Sequence, residues 1–403
     1  MRPSPGTGGA AATLGRLERE NLLVVPLDRE RSWYRYHQLF ADMLQHEVTA
    51  SEPALVPELH RRASAWYQQA GLPADAIRHA TAAGDVSKVR ELIARYWIGY
   101  LDRWRVATVR NWLEALPPAK VMEDTVLALV SAWIALASED PAELDRWLAV
   151  AERIRWKGPL ADGTPSLEVG IASLRAVSGF HGVATRLAAA RRVLEVEPDG
   201  ASPWRQTASW ALGYALYLSG RVSEAQAAAE EALAMATAVP VRTTLIRSLA
   251  LLGLIADDRR DEDAAERLGR RALELVDEAG LADSPVVGNA HTLLGRIRMG
   301  HGDLEGALAA HERALTPQRY PVERFHALVE LLPVRHAAGD REGVAALLAA
   351  AARLRASDID FGVLPAWLRA RLPSPRLARS GPPTRSCCSA PARSTCCGCC
   401  RPR

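Results

Sequence analysis

The chain has 403 residues, with 50 Lys+Arg against 47 Asp+Glu and a formal net charge of +3. The two signs are interspersed, so nothing in the charge marks a nucleic-acid surface. It is 48% hydrophobic but only 6% aromatic, which with abundant Ala, Leu, Glu and Arg and few β-branched runs favours helix. Lysine occurs only at Lys88, Lys120 and Lys157, an arginine-for-lysine bias that suggests a GC-rich bacterial genome. No apolar run reaches bilayer length and no charged-then-apolar leader opens the chain, so a cytoplasmic location with no membrane partner is expected. All six cysteines lie in the last seventeen residues, which leaves the body of the chain without disulfides.

Met1 to Thr13 is small and rich in Pro and Gly, and is not expected to order alone. LGRLEREN then reads as the end of a helix. NLLVVPLD and RSWYRYHQLF read as two short strands around the charged turn Asp28-Arg29-Glu30-Arg31, running into a helix from His37 to Gln45. Helix, hairpin and helix are consistent with a partial winged helix. Trp33, Tyr34, Tyr36, His37 and Phe40, interleaved with Arg31 and Arg35, have the composition of a base-stacking platform. The alternation is equally that of a hairpin packing one face on the following helix, and this reading is preferred. Trp66 and Tyr67, in ASAWYQQAG, sit on a helix and read as core.

Beyond this point a repeat dominates. PWRQTASWALGYALYLSGRVSEAQAAAEEALAMATA, Pro203 to Ala238, reads as two amphipathic helices joined at Ser219-Gly220. Gly213, Ala225 and Ala232 recur as Gly253, Ala265 and Ala272, as Gly295, Ala307 and Ala314, and as Pro333, Ala345 and Ala352, always at steps of twelve and seven. Ala132, Leu144 and Ala151 keep the phase upstream, as do Ala172 and Ala184, although Arg191 spoils the third position. Anchors are 40, 41, 40, 42 and 38 residues apart. Small residues at these offsets let neighbouring helices approach closely. A period near forty with helix-turn-helix content predicts an all-α, tetratricopeptide-like α-solenoid, in which each hairpin buries its apolar face on the next.

LERENLLVVPLDRERSWYRYHQLFADML followed by LHRRASAWYQQAGLPADAIRHATAAGD resembles the junction in the large ATP-binding regulators of the LuxR family, the MalT-like group. The resemblance is close over about Gly6 to Leu116 and extends in architecture to about Leu372. It implies, in order, an ATP-binding module, a winged helix, an effector-sensing superhelix and a DNA-binding helix-turn-helix. Two departures stand against it. No GxxxxGK[ST] stretch is present to cradle ATP phosphates, and no helix-turn-helix pattern follows the last repeat. No cofactor and no direct DNA binding are therefore expected of this chain, and an inducer or protein partner is expected in the superhelix groove. Residues 1–50 read as the partial winged helix, 51–116 as a connecting helical segment, 117–372 as the superhelical repeats and 373–403 as a disordered tail.

That tail has no periodicity, no acidic residue and dense Pro, Ser, Arg and Cys. Cys387, Cys388, Cys396, Cys397, Cys399 and Cys400 lack the spaced pairs of a zinc site, so a truncated or frameshifted reading frame is preferred to metal binding. Catalytic signatures are missing. His46-Glu47 and His311-Glu312 start like a zinc-protease helix but have Ala50 and Leu315 where a second histidine is needed, and they read as surface or capping residues. An enzyme is not expected, nor any metal.

Two function classes remain. One is the effector-sensing region of a LuxR-type regulator; the other is a stand-alone repeat scaffold with a peptide or protein in its groove. If Gly213 is the eighth position of a unit, Thr207, Trp210, Tyr214 and Tyr217 line the concave face. The equivalent positions of the next two units include Arg247 and Asp257, then Asn289 and Arg296. Aromatic faces beside Arg, Asp and Asn suit a sugar-like or similarly polar ligand; burial of the aromatics between hairpins is the competing expectation.

Overall fold

The computed structural model describes residues 15–20, 24–26, 34–197, 202–318 and 320–363. The Pro/Gly-rich start, the charged hairpin turn with Trp33, and the segment from 364 onward with every cysteine lie outside the described residues.

Near the start, strand β1 (Val24–Pro26) pairs antiparallel with β2 (Tyr34–Tyr36), Val24 opposite Tyr36 and Pro26 opposite Tyr34. Val24 and Tyr34 are buried, and Tyr36 meets Phe40 edge-on at 5.5 Å on the next helix, α1 (Gln38–Ser51). The hairpin therefore packs against the helix that follows it. Helices α2 (Leu55–Gln69), α3 (Pro73–Ala82), α4 (Val86–Leu101), α5 (Val106–Glu114) and α6 (Pro118–Glu123) lead into the regular part. Trp66 and Tyr67 are half-buried on α2, with Tyr67 stacked on His79 at 5.1 Å.

From there the chain is a run of helical hairpins: α7 (Thr125–Ala137) with α8 (Pro141–Arg153), α9 (Leu167–Val177) with α10 (Val183–Val196), α11 (Pro203–Leu218) with α12 (Val222–Ala238), α13 (Arg242–Asp258) with α14 (Glu262–Ala279), α15 (Gly288–Gly300) with α16 (Leu304–Leu315), and α17 (Pro321–Ala337) with α18 (Arg341–Arg355). One piece of turn chemistry makes most of these hairpins. The first helix ends in a residue with positive φ, and an aspartate next to it caps the second helix. Gly302 (φ 79°) precedes Asp303, whose carboxylate accepts from Gly306 N at 2.8 Å; Gly339 (φ 75°) precedes Asp340, which accepts from Gly343 N at 2.8 Å. The left-handed slot is unstrained for glycine, and the side-chain oxygen satisfies one of the helix's free amides. Arg260 (φ 63°) and Glu139 (φ 57°) hold the same slot before Asp261 and Asp140.

The repeat anchors explain the packing. A Cβ on Gly213 would lie 3.1 Å from the Ala225 carbonyl and 3.2 Å from the Ala229 amide, so α12 approaches α11 backbone to backbone. Gly253 and Gly295 are covered by Leu293 and by the His311 ring. His311 is thus a core residue, 1% exposed, and not a surface or capping residue: the missing Cβ at Gly295 leaves room for its imidazole. His46 and Glu47 are exposed. The phase fails in two units, although Ala132, Leu144 and Ala151 at the upstream end keep it and are fully buried. Ala345 is exposed, because Pro333 replaces the glycine that would admit it, and on α18 Leu347 and Ala351 are buried instead. Upstream Ala184 is exposed on the first turn of α10, and Arg186 turns inward.

A left-handed non-glycine residue costs about 1–2 kcal/mol. Arg260→Gly is therefore expected to raise unfolding free energy by about 1 kcal/mol, and Gly302→Ala to lower it by a similar amount. Urea melts followed by circular dichroism would show both; a destabilised Arg260→Gly chain would mean that the slot is not strained.

Candidate functional site

The first helices of successive hairpins face one interior, and that interior is closed. Tyr320, at the start of α17, donates its hydroxyl to the Leu136 carbonyl at the end of α7 and meets Phe180 edge-on at 4.9 Å. Arg186 of α10 pairs with Glu323 of α17. The superhelix has returned on itself, so the concave face expected as an open groove is walled on all of these sides.

A ladder of cations and rings crosses this interior. The Arg247 guanidinium lies 4.6 Å from the Trp210 ring, Trp210 stacks on Tyr214 at 5.8 Å, and Arg186 lies 5.3 Å from the Tyr214 ring. Each arginine places its positive charge on an electron-rich ring face, and the two rings between them lie nearly parallel, 12° apart. Arg186 is 1% exposed and donates to the Val177 carbonyl as well as to Glu323, yet its Nε and Nη1 have no acceptor. Burial pushes the Tyr214 phenol well above its usual range, and Asn289 sits beside it.

A second node surrounds Arg296. Its Nε and Nη2 donate to the two oxygens of Glu330 at 2.8 and 2.6 Å, and Nη1 donates to Asp258 at 2.8 Å and reaches Asp257 at 3.4 Å. Tyr217 donates to Asp258 at 2.8 Å. Burial alone would lower the guanidinium's proton affinity, but Glu330 and its neighbours outweigh it and raise it. Burial would raise Glu330, and Arg296 holds it below the usual carboxylate range. The fork-to-carboxylate geometry is what makes such a pair tolerable away from water.

The seven residues expected to line the groove, Trp210, Tyr214, Tyr217, Arg247, Asp257, Asn289 and Arg296, are thus brought to one interior. Gly213 faces α12 and not that interior. Trp210 and Tyr214 are 4% and 3% exposed, covered by the closing helices and not open to solvent as expected. Repeat phase alone does not identify Arg186, Glu323, Tyr320 or the indoles of Trp97 and Trp204. Trp133 and Glu330 were within reach of it: counted from Ala132 and Pro333 they occupy the ninth and fifth positions, the slots of Tyr214 and Trp210.

Two small cavities flank the ladder. One, of about 40 Å³, is bordered by Tyr214, Asn289, Arg296 and Glu330. The other, of about 90 Å³, is bordered by Trp97, Trp133, Trp204, Arg247 and Tyr320. A wider cleft between α8 and α10 is solvated, and its charges pair with each other: Arg192 with Glu168 at 2.6 Å and His181 with Asp145 at 3.2 Å. Among the described residues no group of three or more metal-ligating side chains converges. No described helix is long and apolar enough to cross a membrane.

Helical hairpins stacked into a closed superhelix behind a strand-hairpin module define a tetratricopeptide-type solenoid. Two family models match it in chain order, the MalT winged helix domain over residues 5–56 and the MalT-like TPR region over residues 171–371. The chain belongs to the MalT-like regulators. Similar solved structures include BtubC (BKLC) from P. vanneervenii, 20% identical over 68% of this chain and 99% of that one with a TM-score of 0.33. Another is a monomeric IFIT1 mutant with m7Gppp-AAAA, 16% identical over 73% of this chain and 68% of that one with a TM-score of 0.41.

Histidines shielded from water give the fold a pH dependence. Burial lowers His311 to about 4, with Glu330 opposing and Arg296 assisting; burial likewise lowers His79 to about 4. A histidine whose folded pKa lies below its unfolded value of about 6.5 favours folding in its neutral form. That contribution is complete above pH 6.5 and is lost as pH falls towards 4. Melting temperature is expected to fall across this window, and His311→Leu to flatten the fall. Calorimetric scans at half-unit steps would check it; an equally steep fall in His311→Leu would remove His311 from the account.

Proposed function

We propose that the chain is the effector-sensing and protein-interaction region of a LuxR/MalT-type transcriptional regulator, with a small molecule held inside the superhelix. The observation that carries the reading is the stack of Arg247, Trp210, Tyr214 and Arg186, which places one buried and one half-buried cation against ring faces where a solenoid needs only apolar packing. A ligand in the cavity beside Arg247 touches α4, α7, α11 and α13 together, with Tyr320 at the start of α17, so binding changes how tightly the superhelix closes. The chain is read as non-enzymatic and cytoplasmic, without direct DNA contact. Residues 1–50, 51–116 and 117–372 are read as winged-helix, connecting and sensing parts.

One observation favours the second reading, a scaffold for peptides. Residues 359–363 lie against the superhelix as an irregular segment that turns at Gly362 (φ 78°): Asp360 accepts from Val183 N through its carbonyl at 2.9 Å and from Ala184 N through its carboxylate at 3.0 Å. Phe361 is 5% exposed and packs 4.6 Å from Phe325. A cleft that seats this segment has the apolar contact and hydrogen bonds for a short peptide.

Equilibrium dialysis of the full chain against a bacterial metabolite extract, with mass spectrometry of the retained compounds, separates the two readings. One compound retained near stoichiometry, and lost in Trp210→Ala, is expected. Retention of none, together with saturable binding of a peptide with the sequence of residues 357–363, would overturn the effector reading in favour of the scaffold.

A further inference from the structure

The 90 Å³ cavity has one polar feature without a counterpart. The other two arginines of the interior have carboxylates: Arg296 has Glu330, Asp257 and Asp258, and Arg186 has Glu323. Arg247 has none among the described residues; its contact is the Trp210 face. The one acid bordering the cavity is already engaged. Asp102 accepts from Thr243 N and Oγ1 at 3.1 Å and from Arg242 N at 3.2 Å, capping a helix whose own N-cap, Val241, has no side-chain acceptor. Beside Arg247, the Trp210 Nε1–H is buried with no acceptor. Arg247 is half-buried, and its burial lowers its proton affinity against the opposing pull of Tyr320 and Glu323.

The remaining walls are mostly apolar, and the hydroxyls of Thr207, Thr243 and Tyr320 that border them donate to Pro203, Asp102 and Leu136. Trp204 donates its N–H to Thr164 at 2.9 Å and Trp97 to Asp162 at 3.1 Å, so both indoles have their polar edges occupied. Trp97, Trp133 and Trp204 lie within 5.2–6.2 Å of one another and form a continuous ring surface. An apolar cavity that holds benzene measures about 150 Å³, and this one, at about 90 Å³, favours a short chain over a ring that also carries a carboxylate.

We propose that this cavity binds a small aliphatic monocarboxylate, its anionic oxygens paired with Arg247 and its short apolar body against Trp97, Trp133 and Trp204. The assignment rests on the interior being the effector site and names the chemical class of that effector. A carboxylate supplies the planar fork that a guanidinium matches, and a charge-assisted pair out of water discriminates strongly against a neutral isostere.

The test uses the full chain, sodium isobutyrate and its neutral isostere isobutyramide at constant ionic strength, read by tryptophan fluorescence and by thermal melting. Isobutyrate is expected to change fluorescence saturably and raise the melting temperature, with isobutyramide at least about tenfold weaker. Sodium benzoate is expected to bind less well than isobutyrate. Arg247→Met should abolish the preference for the anion, and Arg247→Lys should retain part of it. The comparison between acid and amide on the unaltered chain stands even if the variants fail to fold. Equal binding of acid and amide, no saturable response to isobutyrate, or an unchanged preference in Arg247→Met would overturn the assignment. If dialysis retains a neutral compound, the effector reading survives and this assignment fails; if it retains nothing, both fail.

Discussion

A helical hairpin cannot cover its own apolar face, and in this chain the last uncovered face is closed only when α17 comes round to meet α7 and α10. That closure depends on burying the Arg186–Glu323 pair, with Tyr320 bonded to the Leu136 carbonyl beside it. Removing one partner of such a pair typically costs about 3–5 kcal/mol, because the other charge is stranded. Two further contacts act on the same closure. Asp102 caps the start of α13 and Asp360 the start of α10, and each helix lacks a capping side chain of its own. The superhelix is therefore held by polar contacts between residues some 140 and 176 positions apart, while its hairpins are held by local ones.

This division decides what could be read from the sequence. Hairpin chemistry is local: glycine at the close approach, alanines opposite it, and an aspartate after a left-handed residue all fall within about forty positions, so the solenoid and its phase were legible. Phase also sufficed to gather Trp210, Tyr214, Tyr217, Arg247, Asn289 and Arg296 onto one face. What it does not contain is superhelical pitch. Pitch accumulates from small rotations at every hairpin junction, and these are set by contacts such as Leu293 over Gly253, where the sequence shows only a leucine. Whether the fifth hairpin beyond Ala132 meets the first could not be counted out from spacing, and so the open groove became an interior. Arg186 was missed for the same reason: on an open solenoid an arginine on the first turns of a second helix is a surface residue.

Arg247 and Arg296 occupy the same interior under opposite conditions, and the contrast bears on what the interior is for. Arg296 is held by three carboxylates and a tyrosine network, a self-contained node that adds rigidity and leaves no hydrogen-bonding capacity for a ligand. Arg247 is held by a ring face alone. Arg247 is half-buried, so water on its open side stabilises the charge that the ring face covers on the other. A guanidinium in that position, with no carboxylate of its own, is free to take an anion, which the Arg296 node is not. It lies beside the wall formed by Trp97, Trp133 and Trp204, where the 90 Å³ cavity suits a small one. An anion held there bridges α13 to α4, α7 and α11, so its binding biases how closely these helices pack, which is the coupling a sensing domain requires.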